Sequence, residues 1–322
     1  MSRSRSPMKR GLRSKPEEAE IPAFLDRFMK QEAARIEAVL SDVLPNPRRR
    51  PSSVHRAMAY GVLGGGKRIR PILSVMAYRA CGGRGREIYT VGAAMELIHS
   101  FTLIHDDLPC MDDDTLRRGK PTVHVAFGEA VALLAGDALL SLAFELLSSL
   151  GISRPSLGVR TSRMVHEVAR AAGTMGVVGG QVLDIESERK IVAPGTIDYI
   201  HTHKTGALIT CSVRLGALLA GAPRRRLDAL SRYGSRLGFA FQIVDDIRDL
   251  KASSEELGKS RARDRVRRKA TYPLVKGLEK SLAKAQALVD DAKIDVTGFG
   301  KYEAHFKALA DYVVRRAVVA GR

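Results

Sequence analysis

The chain has no tryptophan, aromatic residues make up only 5%, and three cysteines are spread over 322 residues. Strands draw on aromatic and β-branched residues, so this scarcity disfavours a sheet-based fold, while the abundance of Ala, Leu and Arg favours helices. Cys81, Cys110 and Cys211 form no CxxC pair. Neither a disulfide framework nor a thiolate zinc site is therefore expected, and free thiols suit the reducing cytoplasm. Strand-like alternation bounded by turn signals is almost missing. No stretch offers the ~18 uncharged apolar residues of a membrane span. The longest apolar run, Val131 to Leu147, carries Asp137 and Glu145, so no integral membrane segment is expected.

Acid is scarce relative to base: 53 Lys and Arg face 35 Asp and Glu, giving a net charge of +18. Part of the excess is Arg3, Arg5, Lys9, Arg10, Arg13 and Lys15, in a Ser/Pro-rich start with no apolar h-region. Residues 1–20 read as a basic, disordered tail rather than a secretory signal. A second cluster runs Lys259, Arg261, Arg263, Arg265, Arg267, Arg268 and Lys269. Aromatics for base stacking are not interleaved with these cations, so no nucleic-acid partner is expected, and the charge suits anionic small molecules.

From Pro22 onward apolar residues recur at helical spacing, broken by prolines near residue 45 and by Gly64-Gly65-Gly66. Helices are predicted over about Pro22–Leu44, from Val54, over Pro71–Ala80, Thr90–His105, Val123–Leu150, Ser156–Gly173, Thr196–Gly221, Arg224–Leu250, Ala270–Lys293 and Tyr302–Val319. Neither a repeat nor a linker interrupts residues 21–322, which are expected to form one all-α domain.

The chemistry concentrates in two acidic segments. In His105-Asp106-Asp107-Leu-Pro-Cys-Met-Asp112-Asp113-Asp114, five carboxylates occupy nine positions directly after an apolar helix. A solvated helix face seldom has that density. Crowded carboxylates repel, and a multivalent cation relieves the repulsion. An all-oxygen donor set points to Mg²⁺, which bridges to substrate phosphates. The second segment is Gln242-Ile-Val-Asp245-Asp246-Ile-Arg248-Asp249, in which Asp245 and Asp249 share a helix face. Around these stand basic groups suited to phosphates: Arg117-Arg118, the glycine-flanked Lys67-Arg68-Ile-Arg70, His201-Thr-His203-Lys204-Thr205-Gly206, and Leu257-Gly258-Lys259. The GxxxxGK[ST] spacing of a P-loop is missing.

In these motifs and their order the chain resembles the trans-type polyprenyl diphosphate synthases, short-chain bacterial branch, from about Ala57 to Arg316. The residues that carry the resemblance are the two aspartate-rich segments, GGGKRIRP, GGQVLD at Gly179–Asp184, HKTGAL and KATYP. It implies an isoprenoid-synthase bundle around a deep cavity and a homodimer. The implied reaction is the Mg²⁺-dependent condensation of isopentenyl diphosphate with allylic diphosphates. Asp106, Asp107, Asp112, Asp245, Asp246 and Asp249 would hold three Mg²⁺. Arg117, Lys204, Thr205, Gln242 and Lys259 would hold the allylic diphosphate, and Lys67, Arg70, His99 and Arg118 isopentenyl diphosphate.

Arg248 stands where an aliphatic residue is usual, Arg263 where a lysine is, and the C-terminal sequence lacks the short Arg-x-Lys ending. A metal-dependent phosphohydrolase built on His105-Asp106, a terpene cyclase and a weak partner subunit are rival readings. The first leaves the second acidic segment unused, and the second leaves Lys67, Arg70 and His99 without a role.

Phe101, followed by Thr102, lies five residues before Asp106, ~7.5 Å along a helix. A bulky ring there resembles farnesyl synthases, whereas geranylgeranyl synthases tend to carry smaller residues, so a C15 product is expected. Phe101→Ala is expected to shift the product to C20 or longer, read by sizing the extracted prenols; an unchanged C15 product would remove Phe101 as the ruler.

Overall fold

The computed structural model describes residues 21–188, 190–255 and 271–319. The basic start, Lys259 and the rest of the cluster around it, Arg263 included, and the last three residues lie outside the described residues. Among the described residues helices dominate: α1 (Ala23–Val43), α2 (Ser52–Leu63), α3 (Ile69–Ala80), α4 (Glu87–Asp106), α5 (Val123–Phe127), α6 (Glu129–Ser153), α7 (Gly158–Ala172), α8 (Val177–Glu186), α9 (Pro194–Ile200), α10 (Ala207–Ala220), α11 (Arg224–Glu255), α12 (Tyr272–Lys276), α13 (Leu278–Asp295) and α14 (Tyr302–Val319). The only described strands are β1 (Leu116–Arg117) and β2 (Lys120–Pro121), a two-residue antiparallel hairpin. The expected all-α architecture holds.

Helices α3, α4 and α10 are apolar on nearly every side and form the centre. Nine of twelve residues of α3 are buried and ten of fourteen of α10, which is the pattern of a helix enclosed by others rather than one facing solvent. α3 packs on α4 and α10, α4 on α6, α10 on α11, and α11 on α13. At the α3–α10 crossing the Ser74 hydroxyl donates to the Ser212 carbonyl at 2.8 Å, which satisfies a polar group inside the apolar layer.

Several boundaries depart from the sequence expectation. The Val123–Leu150 helix is two helices, and so is Ala270–Lys293. The breaks fall at Gly128 (φ +87°) and Gly277 (φ +85°), left-handed backbone that glycine adopts without a Cβ clash. α8 has no counterpart among the predicted helices, because Gly179-Gly180 weakens its local signal. Residues His201–Gly206 form a π-helical segment between α9 and α10, a distortion frequent at functional sites.

One helix bears on the membrane expectation. By length and composition α6 is long and apolar enough to cross a membrane. Asp137 and Glu145, taken above as interruptions, both lie within this continuous helix. Only 33% of its apolar window is buried, and Leu133 and Leu134 are 46% and 57% exposed.

Candidate active site

The first acidic segment begins where α4 ends. The chain folds back at once: the Asp112 amide donates to the Asp106 carbonyl at 2.8 Å and the Asp113 amide to the Leu108 carbonyl at 3.1 Å, with Asp113 in the left-handed region (φ +52°). This compact turn brings Asp112 back beside Asp106. Asp107 points the other way and is buried. Burial pushes its carboxyl up, and Arg117 opposes that by donating from Nε at 2.8 Å and from Nη2 at 2.5 Å to Oδ1. The hairpin thus owes its position to an ion pair with the acidic segment. Asp114 lies 3.7 Å from the same guanidinium.

Across the site, the π segment presents Lys204 and Thr205. α8 passes so close that a Cβ on Gly180 would lie 2.3 Å from the Lys204 amide nitrogen, so only glycine fits. The same helix supplies Asp184, whose carboxylate accepts from Lys204 Nζ at 2.7 Å. Burial works against the Lys204 ammonium, but Asp184, then Asp106 and Asp112, outweigh it and raise its pKa above the ordinary lysine value. Lys204 is thereby electrostatically coupled to the first acidic segment.

The second segment lies on α11. Thr205 Oγ1 donates to Gln242 Oε1 at 2.6 Å, and Gln242 Nε2 donates to Asp246 Oδ1 at 2.9 Å. Asp246 Oδ2 accepts from the Tyr272 amide at 2.8 Å and lies 3.1 Å from His201 Nε2. Asp246 is buried, so its carboxylate binds α11, the π segment and the start of α12 together. Asp245, one residue earlier, is half-buried and receives Arg316 Nη2 at 2.9 Å from α14. Burial raises the Asp245 pKa, with Arg316 and Arg248 pulling against it. Asp249 is exposed on the same helix.

Lys67, Arg70, His99 and Arg118 form a basic group beside these. Arg70 Nη1 donates to His99 Nε2 at 3.1 Å, Lys67 Nζ donates to the Tyr312 hydroxyl at 2.6 Å, and Arg118 bonds the Gly65 carbonyl. Burial, then Arg70, Arg118, Arg117 and Arg68, hold His99 well below the ordinary histidine range, so its ring is a neutral acceptor. Arg68, between Lys67 and Arg70 in sequence, turns inward instead: it is buried in left-handed backbone (φ 51°), 2.5 Å from the buried Glu96 and donating to the Val62 carbonyl at 2.8 Å.

Phe101 and Thr102 are both buried on α4. The Phe101 ring meets His105 edge-on at 5.7 Å, and Thr102 Oγ1 bonds the His99 carbonyl at 2.8 Å. His105 itself is turned to α6, with Nε2 2.9 Å from the Leu133 carbonyl. That packing role disfavours the phosphohydrolase reading.

Sequence reasoning passed over Asp184, His201 and Arg316. Asp184 carried a signal as the last residue of GGQVLD and His201 as the first of the His/Lys/Thr group, though neither was given a role; Arg316 becomes visible once α14 is docked on α11. Among the described residues no three potential ligands converge into a closed metal cage. The donors still fit a hard divalent ion that completes its shell with substrate oxygens, since they are all carboxylates. Arg70 Nε and Arg316 Nη1 are buried without a hydrogen-bond partner, a state that an anionic ligand would relieve.

Two carboxylate-rich segments joined through Lys204, Thr205 and Gln242, each with phosphate-type cations on an all-helical frame, fit a prenyltransferase. The chain belongs to the polyprenyl synthetase family, matched over residues 51–300. It is 46% identical over 267 residues to the farnesyl diphosphate synthase of Escherichia coli, covering 82% of this chain and 89% of that one. It is also 46% identical over 274 residues to an Arabidopsis thaliana heterodimeric geranylgeranyl pyrophosphate synthase large subunit, covering 84% and 74% respectively. The crystal structure of an FPP/GFPP synthase from Zymomonas mobilis superposes with a TM-score of 0.79 at 38% identity, covering 90% of this chain and 99% of that one. The protein elongates prenyl chains, and its family uses a divalent metal to do so.

The neutral state of His99 gives stability a pH dependence. Its folded pKa lies below the unfolded value, so unfolding takes up a proton once the pH drops below about 6.5, and acid favours the unfolded chain. Denaturation between pH 7.5 and 5.5 is expected to show wild type losing more stability than His99→Gln, by up to about 1.4 kcal/mol per pH unit below 6.5; parallel curves would show that His99 protonates freely.

Proposed function

We propose that the protein condenses isopentenyl diphosphate with dimethylallyl and then geranyl diphosphate, giving farnesyl diphosphate and pyrophosphate. The observation that carries this reading is Lys204, fixed by Asp184 and coupled through space to Asp106 and Asp112. A cation in that setting suits a diphosphate arriving between the acidic segments.

In this reading Lys204, Arg117 and the Thr205–Gln242 pair orient the allylic diphosphate, and Lys259 joins them from outside the described residues. Lys67, Arg70, Arg118 and neutral His99 hold isopentenyl diphosphate. Three Mg²⁺, held by Asp106, Asp112 and Asp245 with Asp249 in support, would supply Lewis-acid neutralisation of the leaving group, while Asp107, buried against Arg117, serves by positioning that arginine. Asp246 serves through the contacts it makes to Gln242, His201 and Tyr272, as a positioning residue. The fixed cations stabilise charge that develops on the departing diphosphate as the allylic C–O bond breaks. The double bond of isopentenyl diphosphate attacks the allylic cation, a C–C bond forms, and pyrophosphate takes the proton released on forming the new double bond. Apolar helix walls offer the cation no competing nucleophile.

A buried phenylalanine at position 101 supports the C15 product. The geranylgeranyl synthases among the relatives support C20 as the second reading. With Mg²⁺, labelled isopentenyl diphosphate and C5, C10 or C15 primers, wild type is expected to stop at C15. Asp112→Asn is expected to lower kcat by about 10²–10⁴-fold with the fold intact, an electrostatic loss of oxyanion-hole size or more. No condensation with any primer by a folded, metal-loaded sample would overturn the enzyme reading, and would direct attention to a partner subunit.

We also infer a cytoplasmic homodimer built on the outer face of α6. Leu133 and Leu134 expose apolar surface there, with Val131, Ala138 and Leu142 partly exposed alongside. A face of that kind on a water-soluble chain marks an interface. The free cysteines agree with a reducing compartment. Leu134→Lys is expected to convert a dimer to a monomer in light scattering, and an unchanged mass would remove this face from the interface.

A further inference from the structure

Arg248 and Arg316 are the residues at the second acidic segment that the proposed chemistry leaves unexplained. They come from different elements, Arg248 one turn after Asp245 on α11 and Arg316 on α14. Both reach the same oxygen: Arg316 Nη2 donates to Asp245 Oδ1 at 2.9 Å, and Arg248 Nη1 stands 3.9 Å from it. Arg316 is further fixed by lying over the Phe241 ring, with its guanidinium carbon 4.7 Å from the centroid. At the first segment Arg117 bonds Asp107 and acts on Asp106 through space, and Lys204, bonded to Asp184, acts on Asp106 and Asp112.

We propose that Arg248 and Arg316 are resident counter-ions of Asp245, which a divalent cation must displace or share, so that each weakens metal binding at the second segment of this chain. This rests on the reading of Asp245 as a metal ligand. Two guanidinium groups within 4 Å of one carboxylate oxygen place positive charge beside the position a ligated cation takes, and like charges at that range repel. When metal arrives, Arg316 gives up Asp245 Oδ1, and its guanidinium, whose Nη1 already has no partner, turns to the anionic substrate. Metal loading and the end of α14 are therefore coupled, and the second guanidinium, Arg248, strengthens the coupling.

Titration of the full-length protein with Mn²⁺ alone, following the free aquo ion by EPR, tests this without reference to turnover. Arg248→Leu is expected to tighten the weakest class of sites about threefold and Arg316→Met roughly tenfold, the size of one surface-type charge interaction near a site. Arg248 is 45% exposed, so Arg248→Leu keeps the fold even where Arg316→Met does not. Adding Asp245→Asn to the tightened variant should abolish that class. Unchanged or weaker Mn²⁺ binding in both arginine variants overturns the counter-ion proposal, and a site that is still lost with Asp245→Asn alone leaves Asp245 as a ligand. Tightening that survives Asp245→Asn overturns both readings, because the ion then sits elsewhere.

Discussion

Everything at the mouth of this bundle depends on one constraint: carboxylates set into apolar helices must be met by cations or by donated hydrogen bonds. Asp107 has Arg117, Asp184 has Lys204, Glu96 has Arg68, and Asp246 has Gln242, His201 and the Tyr272 amide. Each pair ties together elements distant in sequence, so the ionic network also serves as scaffolding. Deleting one member of a buried pair leaves its partner uncompensated, typically at 3–5 kcal/mol, whereas replacing both by apolar groups of like shape is often neutral. The pairs therefore specify geometry more than they add stability.

The central helices make this network possible. α3, α4 and α10 are enclosed by other helices, so their ends are held rigidly, and the reactive residues occur at or beside those ends. Asp106 is the last residue of α4, Arg70 opens α3, and Lys204 and Thr205 lead into α10. Substrate groups can then be addressed by short side-chain reaches from fixed backbone, which is what precise positioning requires.

Much of this was legible in the sequence. Helical periodicity gave the long helices, and the carboxylate density after α4 and on α11 marked both acidic segments. What escaped has physical causes. Gly128 and Gly277 break helices through positive φ, which an apolar period running across them conceals. α8 contains two adjacent glycines and so carries a weak helical signal, although Gly180 is there to admit the Lys204 backbone. Arg68 sits between two pocket-facing cations and looks like a third, but its left-handed backbone sends it into the core against Glu96. The partners of Asp245 and Asp246, namely Arg316, His201 and Tyr272, are separated from them by many residues, and no local pattern announces such pairings.

The π-helical segment from His201 to Gly206 determines angular phase. In a regular α-helix successive residues step by about 100° around the axis. Within five residues of this segment, His201, Lys204 and Thr205 reach partners on α11, α8 and α11 respectively. The wide turn lets α9 and α10 keep their own packing registers while the residues between them fan across the site. Loss of a single residue here would leave a smoother helix, yet would swing α9 by about 100° relative to α10, turning its buried Ile197 and Ile200 away from the core. An apparent imperfection in the helix thus works as a phase adjuster, and its length in residues is as constrained as the identity of the lysine it carries.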